Sequence, residues 1–431
     1  MRVAHLLGAG AFVLVVSASA VVAETDLGEP LRLSAVVDYA REHNPEIRAA
    51  ENRAAAAAFM PAQVRGLDDP TISHEAWNMP NNLRIDRADN NIFKISQKLP
   101  FPGKRRLAAD VAERDAEVSR LTADGTALKT VTDVKRAYFD LWEAHEKLLI
   151  YAREKDILQR FARLAERRYG TGDVTQSDVL RAQTELTGLI NQVTTGELAI
   201  ESARAALNAL LSRHPGAPLA TPEEPQPPRL GLTAEGLIES ALQHRPELAA
   251  QSAAIAREED AIELARRNYW PDFEVSVSRF INSEEDDGFG AMATVTVPFA
   301  YSSKYDAAVA EARARLAVAR SERRRLEDAI GGEVHQAFLR ARTAELRHNL
   351  HVTTHIPQAE QSLRVTEAAY ESGAVDLLAL LDTARAIETA HLDHIEAAAD
   401  FERAVADLER AIGVDLGSDP SHRMLQHERP R

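Results

Sequence analysis

"YGTGDVTQSDVLRA", residues 169–182, sets two glycines and an aspartate into what otherwise reads as a very long helix, and aliphatic periodicity resumes at once. Glycine takes the left-handed backbone that lets a helix stop and the chain reverse, so the stretch reads as a turn between two antiparallel helices. "YESGAVDLLALLDTA", residues 370–384, repeats that layout, with Tyr169 matching Tyr370 at an offset of 201. Whatever the first turn does is therefore done twice.

The repetition extends along the chain. "YAREHNPEIRAA" at 39–50 resembles "ALQHRPELAA" at 241–250, and Pro45 matches Pro246. "LPFPGKRRLAADVAE" from Leu99 resembles "VPFAYSSKYDAAVAE" from Val297, and "NALLS" at 208–212 matches "RAIGV" at 410–414. Four matches in order at a nearly constant offset mark an internal duplication. The units span 24–213 and 232–417, and the proline-rich linker "HPGAPLATPEEPQPPRLG" at 214–231 separates them because its prolines cannot continue a helix or enter a central strand.

Each unit opens with a short helix (about 33–43 and 233–244), followed across a proline by an alanine-rich one (about 45–65 and 246–268). Two extended runs come next, at about 70–78 and 91–100, then at about 272–280 and 289–298. Helical hairpins follow at about 104–211 and 303–412. The arm leading to each turn runs roughly 65 residues, near 100 Å at 1.5 Å per residue, which suits coiled-coil packing better than a globular core. Pro357 is expected to kink the second arm, and Gly331 and Gly332 to loosen it.

In the extended runs the period changes to two. Phe273, Val275 and Val277 alternate with Glu274, Ser276 and Ser278; Phe289, Ala291, Ala293, Val295 and Val297 alternate with Gly290, Met292, Thr294 and Thr296. Phe93, Ile95 and Leu99 stand opposite Lys94, Ser96 and Lys98, while "TISHEAWNM" at 71–79 alternates poorly. Runs of about 10 residues match a tilted membrane-spanning strand, and Trp77, Phe101, Trp270, Phe299 and Tyr301 would supply an interfacial girdle. Alternation alone fits equally a half-buried sheet packed on the helices. Four strands cannot close a barrel and an open edge in lipid is prohibitive, so a membrane reading demands several chains sharing one barrel.

Composition narrows the partners. The first 23 residues read as a secretory signal peptide: Arg2, an apolar run from Leu6 to Val16, and "VVA" before Glu24. No cysteine occurs, which rules out disulfides, thiolate metal sites and a lipid-anchoring cysteine. A net charge of −15 argues against nucleic acid. The tail at 418–431 is expected to be disordered, and the strand-connecting loops at about 79–90 and 281–288 to face outside.

These features together resemble the outer membrane factor family, the TolC-like efflux proteins, over about Leu31 to Val414. The marks are "QKLPFPGKR" at 97–105, the two glycine turns followed by "SDVLRAQ" and "LLALLDTA", and the duplication. The resemblance implies a mainly α chain carrying membrane β-barrel strands. Three chains would form a homotrimer with a twelve-stranded barrel in outer membrane lipid and a periplasmic α-helical tunnel. It further implies a passive efflux duct that docks on a periplasmic adaptor and an inner-membrane pump of RND type. "LPFPGKR" looks closest to the heavy-metal (CzcC/CusC-like) branch. The docking surface carried over from the family comprises Gly170, Gly172, Asp173, Val174, Thr175 and Ser177, and Ser372, Gly373, Ala374, Val375 and Asp376. Tyr370 matches the family's gate-linking tyrosine, Asp178 its aspartate and Asp382 one aspartate of an acidic ring. Val375 stands where TolC has an arginine and Ala379 where it has a second ring aspartate, so the expected aperture rests on packing of Leu378 and Leu381 with one acidic ring.

No hydrolase or nucleotide-binding motif occurs, so no enzyme and no cofactor are expected. His351 and His355, four apart on a helix, and Glu388, His391 and His394 have metal-ligand spacing, but no second segment completes a site from sequence, and none is assigned. The competing reading is a soluble periplasmic coiled-coil scaffold or adaptor, with the strands as a small capping sheet.

Overall fold

The computed structural model describes residues 27–78, 88–225, 231, 233–282 and 286–416. The expected signal peptide, the centres of the two strand-connecting loops, part of the linker and the tail lie outside the described residues.

A proline breaks each unit at the same place. Helix α1 (Leu33–His43) ends because Asn44, preceding Pro45, is held extended at φ −67°, ψ 125°, and Pro45 then opens α2 (Pro45–Ala58). Asn44 caps α2 by accepting from the Glu46 and Ile47 amides, and its Nδ2 donates to the Leu210 carbonyl at 2.7 Å. The single helix expected over 45–65 is divided at Phe59, after which Pro61 lies in the first turn of α3 (Met60–Arg65). Proline has no amide to bond back to the preceding turn, so the division falls there.

Strands β1 (Thr71–Trp77) and β2 (Asn90–Leu99) lead into α4 (Lys104–Thr171), 68 residues and about 100 Å long, and α5 (Gln176–Leu210) returns. The second unit repeats the order with α6 (Ala234–His244), α7 (Pro246–Arg267), β3 (Asp272–Asn282), β4 (Gly288–Thr296), α8 (Asp306–Leu350), α9 (Ile356–Glu371) and α10 (Leu377–Ile412). Arg245 holds the place of Asn44: it is extended before Pro246, and its guanidinium donates to the Arg410 and Ala411 carbonyls, each at 3.1 Å. In both units one side chain thus satisfies carbonyls left open at the end of the return helix, tying the short helices to the hairpin.

Gly331 and Gly332 lie inside an uninterrupted α8, contrary to the expected loosening. Pro357 acts through a five-residue π turn, His351–His355, in which the Ile356 amide bonds to the His351 carbonyl, and α9 begins directly after it. The extra residue re-spaces the ladder around the amide that proline lacks. A second π turn, Tyr301–Tyr305, precedes α8.

The core lies along the helices in three patches. Leu31, Val36 and Ala40 pack on Val134, Tyr138 and Leu141 of α4 and on Leu207 and Leu211 at the end of the first return helix. Leu237, Ala241 and Leu248 pack equivalently on Ile330, Val334 and Leu408 in the second unit. The third patch, near the glycine turns, joins α4, α5, α9 and α10. Among the described residues no helix is long and apolar enough to cross a membrane.

The strands form one antiparallel sheet in the order β1-β2-β3-β4. Its register brings Ile72, Ile95, Val277 and Ala291 into one row, and Leu99, Phe273 and Val295 into another. The sheet joins the helices through "PFPGKR". Gly103 adopts φ 96°, and Lys104, nearly buried, donates to Asp272 Oδ1 at 2.8 Å and to the Trp270 carbonyl at 2.9 Å. The Phe101 amide shares the same carboxylate oxygen, and the Phe101 and Trp270 rings stack 4.9 Å apart. One cation therefore pins the strand-to-helix junction of the first unit to the helix-to-strand junction of the second.

Candidate functional site

Among the described residues, two surfaces stand out as unpartnered within the chain. The first is one face of the sheet, where Ile72 and Phe289 are each 76% exposed and Phe93, Ile95, Val275, Val277 and Val295 are exposed as well. Lys94, Lys98 and Glu274 stand on the opposite face. A sheet packed on the helices would bury its apolar side; this one turns it outward. Phe280 lies over Gly290 on the polar side, where a Cβ would meet its ring at 2.7 Å, and so covers the position that has no side chain. The outer edges of β1 and β4 are unpaired within the sheet, as they must be if neighbouring chains complete it. At the helix end, Trp270, Phe299 and Tyr301 are exposed beside the Tyr269–Tyr301 stack.

The second surface is the pair of turns. Helix α4 stops because Gly172 takes φ 82°, and the Asp173 amide returns to the Arg168 carbonyl at 2.9 Å. Thr175 and Asp178 then start α5 with a reciprocal capping box. Asp178 Oδ2 accepts from the Thr175 amide at 2.9 Å and from its hydroxyl at 2.8 Å, and these bonds hold the carboxyl below its ordinary range. In the second unit Gly373 takes φ 78°, the Ala374 amide bonds to the Ala369 carbonyl at 2.8 Å, and Asp376 caps α10 through the Ala379 amide at 3.0 Å. Gly170, Asp173, Thr175, Ser177, Ser372, Ala374 and Asp376 are exposed, whereas Val174 and Val375 are half-buried. Val375 packs against the core beneath the turns.

The gate candidates divide by packing. Tyr370 is buried; burial raises its pKa, against the opposing pull of the Arg168 guanidinium. Leu381 lies in the chain's own core with Leu377, Leu380 and Ala384, so of the two leucines only the exposed Leu378 is free to meet another chain. Asp382 is exposed and pairs with Arg385 at 3.2 Å, and Arg385 also bonds Glu185 of α5 at 3.0 Å.

Sequence reasoning missed Arg168. Its guanidinium lies 5.0 Å over the Tyr370 ring, and Nη1 donates to the Tyr370 carbonyl at 2.7 Å. Val375 cannot hold the tyrosine as an arginine would, and a basic residue in the last turn of α4 does so from the other hairpin. The signal available was a basic side chain beside the carbonyl end of a helix, where it complements the dipole. Above this contact, a cavity of about 460 Å³ is lined by Glu154, Glu185, Leu381, Arg385 and Glu388. Burial, aided by the Glu388 charge, pushes the Glu154 carboxyl up to about 7.

An outward apolar sheet with open edges, carried on two paired helical arms of about 100 Å, has the parts of a shared barrel and conduit. Both halves match the family described as outer membrane efflux protein, over residues 36–213 and 237–414. The chain belongs to that family. It is an outer membrane efflux channel. A cobalt-zinc-cadmium resistance protein, CzcC of Cupriavidus metallidurans, is 22% identical over 391 residues, covering 89% of this chain and 90% of that protein. Among solved structures, CusC superposes with a TM-score of 0.74 at 15% identity, over 89% of this chain and 92% of that one. The outer membrane protein VceC of Vibrio cholerae gives 0.73 at 16% identity, over 89% and 96%. These likenesses at low identity concern the fold.

Proposed function

We propose that the channel works as a homotrimer, the exit duct of a tripartite efflux system. It docks through its glycine turns on a periplasmic adaptor and is fed by an inner-membrane pump of RND type. The observation that carries the trimer is the sheet: four strands with an apolar face outward and two free edges cannot rest in lipid alone, and three copies supply twelve strands, enough to close. The turns carry the docking. They are exposed, rigidly capped on both sides, and held level with each other by the Arg168–Tyr370 contact. The duct itself is passive; the pump supplies the energy.

Heavy-metal cations are the proposed cargo. Support comes from the likeness to CzcC along nearly the whole chain. An aperture formed by Leu378 and Asp382 of three chains would close by packing and narrow the path by charge.

Replacing Gly172 or Gly373 with valine tests the docking. Both glycines sit at positive φ, where a β-branched side chain costs about 1–2 kcal/mol of local strain. The turns should distort and cells should lose resistance to zinc, cobalt and cadmium, while heat-resistant trimers still fractionate with the outer membrane. Full resistance in both variants would defeat the docking role, and a wild-type chain soluble without detergent would defeat the duct.

A further inference from the structure

We propose that His351, His355 and Asp393 form a binding site for one divalent first-row transition-metal cation per chain, joining the π turn of the second arm to α10. The site is built from the chain's own side chains and does not depend on which cargo the duct carries.

The sequence supplied a histidine pair but no second segment, and the fold supplies it. One ligand atom from each of His351, His355 and Asp393 lies within 4.8 Å of the others. The two Nδ1 atoms stand 3.2 Å apart, with ring centroids 5.2 Å apart and planes tilted by 51°. Two imidazole nitrogens bound to one tetrahedral ion at about 2.0–2.1 Å would lie roughly 3.4 Å from each other, so the observed pair needs little movement to chelate. The π turn, a form frequent at functional sites, spans this histidine pair from end to end.

The surroundings suit a cation. Asp393 supplies the anionic donor beside the two imidazoles. Arg347, the nearby cation, is itself drawn off by Asp400 at 3.2 Å and Glu396 at 3.5 Å. Immediately behind, His348 and His394 stack 5.1 Å apart, and the Nδ1 atom of each is buried without a hydrogen-bond partner. His355 is exposed, which gives the ion a way in.

The donor set selects the metal. Two imidazoles and a carboxylate, with no thiolate in the chain, suit Zn²⁺, Co²⁺ or Ni²⁺ and disfavour soft monovalent copper. Three ligands leave a position for water or exchange, so the site would hold its ion reversibly.

Zinc chloride titrated calorimetrically into tag-free, chelator-stripped trimer in detergent tests the assignment. The wild type should bind one Zn²⁺ per chain at its tightest site, and His355→Ala and Asp393→Asn should each weaken that site by ~10-fold or more. His355 is exposed and Asn is isosteric with Asp, so both variants should remain folded trimers, as gel filtration would verify. A His43→Ala control, at an exposed histidine on α1, should bind as the wild type does. Equal zinc affinity in the His355→Ala/Asp393→Asn double variant, or no saturable binding by the wild type, overturns the site. Neither result depends on which cargo the cell exports.

Discussion

Replacing Arg168 with methionine should loosen the turn end of the channel without unfolding it. Arg168 contributes one charge-assisted hydrogen bond, to the Tyr370 carbonyl at 2.7 Å, and one cation–π contact with the ring of the same residue. Such a bond contributes about 1.5–3 kcal/mol and the ring contact ~0.5–1, together roughly 2–4 kcal/mol. Methionine keeps the apolar stem against the neighbouring helices and removes both contacts. If opening parts the two hairpins, the closed-to-open ratio should fall roughly 30- to 700-fold, since about 1.4 kcal/mol corresponds to a factor of ten. Conductance of purified trimers in planar bilayers reads this directly: Arg168→Met should show a higher open fraction than the wild type. Arg168→Lys, which keeps the charge but not the planar guanidinium, should fall between. Identical conductance in wild type and Arg168→Met, with both remaining trimeric, would refute the assignment of this contact as the closing link.

Two further outcomes follow from local geometry. Gly413, at φ 79°, caps α10 where an added Cβ would meet the His244 carbonyl oxygen at 3.0 Å and Arg245 Cα at 3.3 Å, whereas nothing lies within 4 Å at Gly172. Gly413→Ala should therefore lower the unfolding free energy by about 2–4 kcal/mol and Gly172→Ala by only about 1–2, and the denaturant midpoints should rank accordingly. Glu154, raised to about 7 by burial and by Glu388, keeps in the folded chain a proton that the unfolded chain gives up near its ordinary value. The stability it contributes is complete below that ordinary value and is lost as pH rises through about 7, an effect of about 1–3 kcal/mol. Glu154→Gln, which cannot ionise, should flatten the fall in melting temperature between about pH 5 and about pH 8, and an unchanged slope would show that another group titrates there.

The fold could be read from the sequence where it depends on local periodicity. Two-residue alternation in Phe273 to Ser278 identified a sheet with one apolar face, and the counting of strands then required other chains. The glycine turns were legible because a long helix can reverse only where a residue tolerates positive φ. The inward set of α10, Leu377, Leu380, Leu381 and Ala384, follows i, i+3, i+4, i+7 spacing, and strict use of that pattern separates buried Leu381 from exposed Leu378. Contacts between hairpins were another matter. Arg168 lies 202 residues from Tyr370, and the residue at its place in the second unit is Ala369, so duplication offered no hint. Asp393 likewise meets His351 only through the pairing of α10 with the second arm. The division at Phe59 shows how a proline two residues ahead overrides an alanine-rich run of high helix propensity.

The π turns also settle a question of reach. From Pro100 to Gly172 the first unit advances 72 residues, while from Pro298 to Gly373 the second advances 75, yet Arg168 of one arm touches Tyr370 of the other and both glycines therefore finish side by side. Two arms of unequal count must end flush. A π turn takes in a single extra residue, and the second arm has two of them, at Tyr301–Tyr305 and His351–His355. They absorb two of the three surplus residues counted from these prolines. The wider coils thus work as slack taken up in a line, letting a duplicated gene drift in length while the rim it builds stays even.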